Sequence, residues 1–152
     1  MVNDEKSLSA EEAYALGTDY QFETEEHVLG PWTSYSILND PKHLVFTLGR
    51  YKFCAKLLEG RESVIEVGPG DGIGLPIIAQ AVKKVYAVDW DQRLIDGNKR
   101  RLKDFKNIDH LCVDLNKQEL NLSADAAITI DVIEHLEEKF EDKFIKSIVK
   151  CL

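Results

Sequence analysis

A glycine-rich stretch in the middle of the chain constrains the fold more than any other feature. The sequence VIEVGPGDGIG occupies residues 64–74 and places four glycines at alternate positions, directly after a short apolar run. Glycine has no Cβ, so it adopts positive φ without steric cost and lets a ligand approach the peptide backbone closely. The stretch therefore predicts a turn from a strand into a helix, with a nucleotide-like ligand bound against it.

Short apolar runs alternate with helical patterns around this turn. The runs predict strands at residues 64–67, 85–88, 108–113 and 126–130. The helical patterns predict helices at residues 41–59, 73–82, 91–105 and 132–152. Asp40, directly before Pro41, is a typical cap for the first of these helices. Because strands that alternate with helices pair in parallel through right-handed crossovers, we expect an α/β fold with a Rossmann-like, doubly wound parallel sheet.

The N-terminal part of the chain differs from the rest in charge. The net charge is −8, and the first thirty residues contain eight acidic residues against one lysine. This distribution predicts an acidic N-terminal arm and loop at residues 1–39, followed by one ligand-binding domain at residues 40–152. The stretch GPWTSYSILNDP at residues 30–41, with its glycine and two prolines, is interpreted as the loop.

Composition also bears on location and partners. No apolar run reaches membrane-spanning length, and the N-terminus lacks the basic and apolar regions of a secretory signal. The three cysteines are widely separated, which is typical of reduced thiols, so we expect a cytoplasmic protein without a membrane partner. The basic run KRRLK at residues 99–103 is interpreted as a solvated helix face, so nucleic acid is not the favoured partner.

The spacing of the glycines distinguishes between nucleotide ligands. A dinucleotide fingerprint needs a third glycine where this chain has Ile73, or Leu75 if the count starts at the next glycine. No Gly-Lys-Ser or Gly-Lys-Thr follows, so the phosphate-binding P-loop is absent too. The chain instead has an acid, Glu66, followed by glycines two residues apart.

This acid and its glycines resemble the first motif of the class I S-adenosylmethionine-dependent methyltransferases, an acid followed by x-Gly-x-Gly-x-Gly. Asp89 after the second strand, Asp114 after the third, and IDVIEHL at residues 130–136 resemble the later motifs in order. The resemblance covers about residues 40–150. It implies a sheet of order 3-2-1-4 and S-adenosylmethionine as cofactor. The cofactor-binding residues that it implies are Glu66, Gly68, Pro69, Gly70, Asp71, Gly72, Asp89, Trp90, Asp114, Leu115 and Asp131.

Elementary chemistry supports several of these roles. The carboxylate of Asp89 can accept two hydrogen bonds from a ribose diol, and the N–H groups of the glycine turn suit the carboxylate of a methionine moiety. Trp90 either offers adenine a flat apolar face or packs against a helix. Asp114 either receives the adenine amino group or caps a turn with Asn116.

The segment IDVIEHL at residues 130–136, which resembles the fourth motif of the family, contains three side chains that could bind a metal or take part in catalysis. Asp131, Glu134 and His135 resemble the metal-binding set of quinone-pathway and small-RNA O-methyltransferases, and two carboxylates with an imidazole suit a divalent ion. The spacing of Asp131 and Glu134 is equally typical of a capping box, which leaves His135 to line the cleft or to act as a general base. We favour capping without a metal, with Asp131 and His135 as candidate catalytic residues.

The chain departs from the family that it resembles in the number of strands. The class I fold has seven strands in the order 3-2-1-4-5-7-6, and this sequence predicts only the first four. We therefore expect a fragment of a longer enzyme, without the C-terminal strands. The fourth strand then becomes an exposed edge, which either the N-terminal arm or a partner chain, such as a second copy in a homo-oligomer, would cover.

These features favour an S-adenosylmethionine-dependent methyltransferase, or the cofactor-binding half of one, acting on an oxygen of a small molecule or sugar. A non-catalytic module that binds S-adenosylmethionine is the alternative. A nicotinamide-dependent oxidoreductase is a third interpretation, which Ile73 opposes. The methyl acceptor, the metal dependence, the oligomeric state and the role of the acidic arm stay open.

Overall fold

The computed structural model describes residues 9–22 and 26–152. Its helices are α1 (Ala10–Phe22), α2 (Pro31–Asn39), α3 (Pro41–Leu58), α4 (Leu75–Ala81), α5 (Gln92–Arg101) and α6 (Glu138–Val149), with a 3₁₀ turn at Ile133–His135. Its strands are β1 (Ser63–Val67), β2 (Lys84–Asp89), β3 (Ile108–Cys112) and β4 (Ala126–Thr129). The expected acidic arm is therefore helical over Ala10–Phe22, while residues 1–8 and 23–25 of that arm lie outside the described residues.

The four strands form a parallel sheet in the order β3-β2-β1-β4. The central strand β1 pairs Val64 with Val85 of β2 on one side and with Ala126 of β4 on the other. The observed strands confirm the predicted order, and their limits differ from the predicted ones by no more than one residue at either end. All four carboxyl ends therefore meet at one edge of the sheet.

Alternate residues of β1 point to opposite faces of the sheet, and helices cover both. Val64 packs with Ile78 of α4 in one apolar cluster. Ile65 packs with Phe144 of α6 in a second cluster. The sheet is thus doubly wound, and Glu66 lies on the same face as Val64, beneath α3.

The loop expected at residues 30–41 is wrong, because most of it forms the helix α2. Gly30 is the N-terminal cap residue of α2 and Pro31 occupies its first turn. Thr33 is only 4% exposed, and both its N–H and its hydroxyl donate to the buried carboxylate of Asp71. This distant contact stabilises a helix whose own sequence has no apolar stripe. The domain boundary expected after residue 39 stays a prediction.

The single helix expected at residues 132–152 is also wrong. The 3₁₀ turn ends at Leu136, whose backbone is extended at φ −85° and ψ 146°, and α6 begins two residues later. The break lets the Leu136 side chain pack with the apolar cluster around Phe144. Packing against the sheet has therefore overridden the continuous periodicity of the sequence.

The β4 edge of the sheet is open within the part of the chain that the structure describes. There β4 pairs with β1 alone, and exposed side chains of Val45, Phe46 and Phe53 on α3 lie next to it. The expected cover of this edge by the N-terminal arm or by a second copy of the chain stays a prediction. Among the described helices, none is long and apolar enough to cross a lipid bilayer.

Candidate active site

The glycine turn between β1 and α4 has the unusual backbone that its sequence predicts. Gly68, Gly70 and Gly72 have φ angles of +74°, +60° and +82°. These angles lie in the left-handed region, which residues with a Cβ adopt only with strain. A Cβ on Gly70 would also lie 2.8 Å from the ring of Trp32. The bare backbone at this point therefore permits both the turn and the close approach of α2.

Glu66 lies beneath the turn and faces α3. Its carboxylate is 1% exposed, and Oε1 accepts a hydrogen bond of 2.5 Å from the hydroxyl of Tyr51. Burial raises the pKa of Glu66 to about 7, and the hydrogen bond from Tyr51 counteracts part of this rise. Two cavities, described in the next paragraph, open near the turn, and Glu66 lines neither of them. The structure therefore places this predicted cofactor ligand beneath the turn, away from both cavities.

Two cavities open at the carboxyl edge of the sheet, one on each side of the glycine turn. The first, here called the β2–β3 cavity, has a volume of about 570 Å³ and is lined by Asp89, Trp90, Asp114 and Leu115. The second, here called the α2–α3 cavity, has a volume of about 460 Å³ and lies between the turn and helices α2 and α3. The residues that line both cavities are Trp32, Gly68, Gly70, Asp131 and His135.

Asp89 ends β2 at the β2–β3 cavity. It is 6% exposed, and its Oδ1 accepts a hydrogen bond of 2.9 Å from the N–H of Asp91. Burial raises the pKa of Asp89, and hydrogen bonds from the N–H groups of Asp91 and Gly70 offset part of the rise. The neighbouring Trp90 is 70% exposed and forms part of the cavity wall, which argues against a helix-packing role for its ring.

Asp114 lies on the opposite wall of the same cavity with both its oxygens engaged. Oδ1 accepts a hydrogen bond from the N–H of Asn116, and Oδ2 pairs with Lys117 at 2.8 Å. The hydrogen bond from Lys117 holds the pKa of Asp114 below its usual value. The turn with Asn116 is therefore present, and Asp114 lines the cavity at the same time. Leu115 beside it is buried in the second apolar cluster.

Asp131 follows β4 and adopts a left-handed backbone, with φ of +55°. Its Oδ2 accepts a hydrogen bond of 2.8 Å from the Nη1 of Arg50 on α3. The 3₁₀ turn that follows starts after Val132 without a side-chain cap, so the predicted capping box of Asp131 and Glu134 is wrong. The Asp131 carboxylate, which was expected to cap the turn, instead accepts a hydrogen bond from Arg50.

Glu134 lines the α2–α3 cavity, and His135 lines both cavities. Within residues 9–22 and 26–152, no three His, Cys, Asp or Glu side chains form a group that could hold a metal ion. Asp131, Glu134 and His135 are therefore gathered around one opening without forming a set of metal ligands.

Several site residues on α2 and α3 were missed by the sequence analysis. Thr33 binds both oxygens of Asp71, with its N–H at 2.7 Å from Oδ2 and its hydroxyl at 2.8 Å from Oδ1. Asp71 thus fastens α2 to the glycine turn. Trp32, Arg50 and Tyr51 also line the α2–α3 cavity. Their separation from the turn along the chain hid this role, although Tyr51 lies within the helix that the sequence predicts at residues 41–59.

The strand order, the left-handed glycine turn after β1 and the buried acid at the end of β2 agree with what the resemblance to the class I S-adenosylmethionine-dependent methyltransferases implies. A family model described as a methyltransferase domain matches residues 65–152, which is more than half of the chain. The chain therefore belongs to the methyltransferase family.

Individual relatives agree with this assignment. Ribosomal RNA small subunit methyltransferase A of Alkaliphilus metalliredigens (strain QYMF) is 32% identical over 87 residues, which cover 57% of this chain and 26% of that protein. N-methyltransferase NodS from Bradyrhizobium japonicum WM9, solved with S-adenosyl-L-homocysteine, has a TM-score of 0.61 at 20% identity, covering 76% of this chain and 59% of that chain. The methyltransferase domain of bacterial CtHen1-C has a TM-score of 0.57 at 28% identity, covering 68% and 58%. The chain spans about a quarter of the curated relative and under two thirds of both solved structures.

Proposed function

We propose that the chain binds S-adenosylmethionine across the two cavities and presents its methyl group to an oxygen of a small molecule or sugar. The observation that carries the proposal is the junction of the cavities at the glycine turn, with the buried carboxylate of Asp89 in the wall of one of them. When bound, this cofactor supplies a methyl group on a positively charged sulfur.

The residues of the β2–β3 cavity fit the adenosyl portion of such a cofactor. Asp89 offers a carboxylate to the ribose hydroxyls, held in place by the N–H of Asp91. Trp90 and Leu115 supply apolar walls for adenine, and Asp114 supplies an acceptor for its amino group. The polar contacts fix orientation, while the apolar walls provide the larger part of the buried area.

The α2–α3 cavity fits the methionine portion and the methyl acceptor. The backbone of Gly68 and Gly70 borders this cavity, and the absence of a side chain at both positions leaves room for the methionine portion. The N–H groups of these two glycines are not available to its carboxylate, because that of Gly68 donates to the carbonyl of Val88 and that of Gly70 donates to Asp89. Methyl transfer by displacement depends mainly on holding the acceptor in line and close. In our proposal His135 takes the proton from an acceptor hydroxyl and Asp131, oriented by Arg50, positions that hydroxyl.

A nucleic-acid acceptor is the second candidate. The observation that favours it is the 32% identity to a relative described as a ribosomal RNA methyltransferase. The net charge of −8 opposes it, because nucleic-acid binding depends on clustered positive charge. Transfer of labelled methyl groups to ribosomal RNA, against transfer to a panel of phenols, amines and sugars, separates the two candidates.

Calorimetric titration with S-adenosylmethionine, S-adenosylhomocysteine and NAD tests the cofactor assignment. We expect saturable binding of the first two and none of NAD, because the turn has Ile73 where a dinucleotide site needs glycine. Asp109→Ala serves as a control, because Asp109 pairs with Lys84 on the sheet and lines neither cavity. Binding of NAD without binding of S-adenosylmethionine would contradict the proposal.

A further inference from the structure

We propose that the ring of Trp32 raises the affinity of this site for the positively charged S-adenosylmethionine relative to its neutral demethylated product. The inference rests on the proposed function, because it assigns a specificity-determining residue to the same cofactor site. Trp32 is one of the two tryptophans of the chain, and the other, Trp90, lines only the β2–β3 cavity.

The position of Trp32 at the junction of the two cavities is the first step of the argument. The sulfur is the atom that joins the adenosyl portion of the cofactor to its methionine portion. If these two portions fill the β2–β3 and α2–α3 cavities, the sulfur lies among the residues that both cavities share. Those residues are Trp32, Gly68, Gly70, Asp131 and His135.

The charges at this junction are the second step. The carboxylate of Asp131 pairs at 2.8 Å with the guanidinium of Arg50, so the pair as a whole brings no net charge. The two glycines contribute no side-chain charge, and the imidazole of His135 carries no negative charge that would attract a cation. Among the side chains of the junction, the Trp32 ring is then the one with an uncompensated attraction for a cation, because the face of an indole is electron-rich.

The attachment of Trp32 is the third step. The next residue, Thr33, is fixed by its two hydrogen bonds to the buried Asp71. The ring itself packs so closely on the turn that a Cβ on Gly70 would lie 2.8 Å from Cζ3. Trp32 is thus held against the junction even though its residue is 58% exposed, and its replacement leaves both apolar clusters intact.

The test compares the affinities of S-adenosylmethionine and S-adenosylhomocysteine, measured by calorimetry at pH 8 on the whole chain. We expect Trp32→Leu and Trp32→Met to lower the preference for S-adenosylmethionine about threefold to tenfold, the range of a cation–π contact at a partly exposed site. Trp32→Phe should retain most of the preference. Trp90→Leu is the matched control. It should weaken the binding of both ligands to the same extent and leave the ratio of their affinities within about twofold of that of the unaltered chain.

An unchanged ratio in folded Trp32→Leu and Trp32→Met, with thermal unfolding as the check on folding, would overturn the inference and leave the proposed function standing. A ratio that falls in Asp131→Asn but not in the Trp32 variants would also overturn it, since the carboxylate would then select the cation. If the unaltered chain binds neither ligand, the proposed function fails and the inference fails with it.

Discussion

The hydroxyl of Tyr51 lies 2.5 Å from Oε1 of Glu66, a carboxylate of which only 1% is exposed. This hydrogen bond joins α3 to the end of β1 directly beneath the glycine turn. Within the described residues, the second oxygen of Glu66 is buried without a hydrogen-bond partner. A charge on Glu66 is therefore only half stabilised, and the protonation of this group influences the stability of the fold.

We expect the free energy of unfolding to fall as the pH rises from about 4.5 to about 7. The pKa of Glu66 is raised to about 7 by burial, whereas in the unfolded chain it returns to its ordinary value near 4.5. Between these values the folded state holds a proton that the unfolded state releases, so the contribution is complete below pH 4.5 and lost above pH 7. Urea unfolding across this range should show a loss of about 1–3 kcal/mol.

Two variants separate this effect from the titration of other groups. Glu66→Gln has no proton to release, so its stability should lack this component of the pH dependence. Tyr51→Phe removes the hydrogen bond that lowers the pKa of Glu66, so the loss should extend to higher pH. A pH profile of Glu66→Gln that parallels that of the unaltered chain would refute the prediction.

Asp89→Ala should weaken S-adenosylmethionine binding more than Asp114→Ala does. In our proposal the Asp89 carboxylate receives two ribose hydroxyls in addition to its internal hydrogen bonds, whereas Asp114 receives one amino group and has its Oδ2 paired with Lys117. Charged hydrogen bonds contribute about 1.5–3 kcal/mol, so the loss should be at least tenfold for Asp89 and about threefold or less for Asp114. Calorimetric titration measures both losses, and equal or reversed losses would reject the assigned roles.

Thr33→Val should lower the free energy of unfolding by about 1–2 kcal/mol, because it leaves the buried Oδ1 of Asp71 without its donor. The matched control is Thr47→Val on α3, whose buried hydroxyl has no hydrogen-bond partner among the described residues. Its removal should change stability by no more than about 0.5 kcal/mol. Urea unfolding of both variants gives the comparison, and similar losses would show that the Asp71 contact does not stabilise α2.

Magnesium, manganese or zinc should not raise the midpoint of thermal unfolding. The reason is that Asp131 is paired with Arg50 and that the described residues contain no three-ligand group for a metal. The experiment compares the unaltered chain with Glu134→Gln at pH 6 and pH 8. Stabilisation by a metal at pH 8 that weakens at pH 6 and disappears in Glu134→Gln would reveal a metal site, since ligands must be deprotonated to bind.

The strands and the glycine turn could be predicted because their signals are local. Apolar runs and glycine spacing define β1 and the turn within a few residues, and the cap of α3 at Asp40, which accepts from the N–H of His43, follows from adjacent residues. The pairing of Arg50 with Asp131 joins residues 81 positions apart, and no local pattern indicates it. The helix α2 was missed for the same reason, since its anchor Asp71 lies 38 positions beyond Thr33.

The double hydrogen bond from Thr33 to Asp71 ties α2 to the glycine turn of the candidate site. A shortened chain that starts at residue 40 would keep every strand and every glycine of the turn. It would also uncover a carboxylate that is now 6% exposed and deprive it of both donors. We expect this loss to disturb the cavities at the glycine turn while the sheet persists, so residues whose composition suggests a dispensable arm would help to hold the turn in shape.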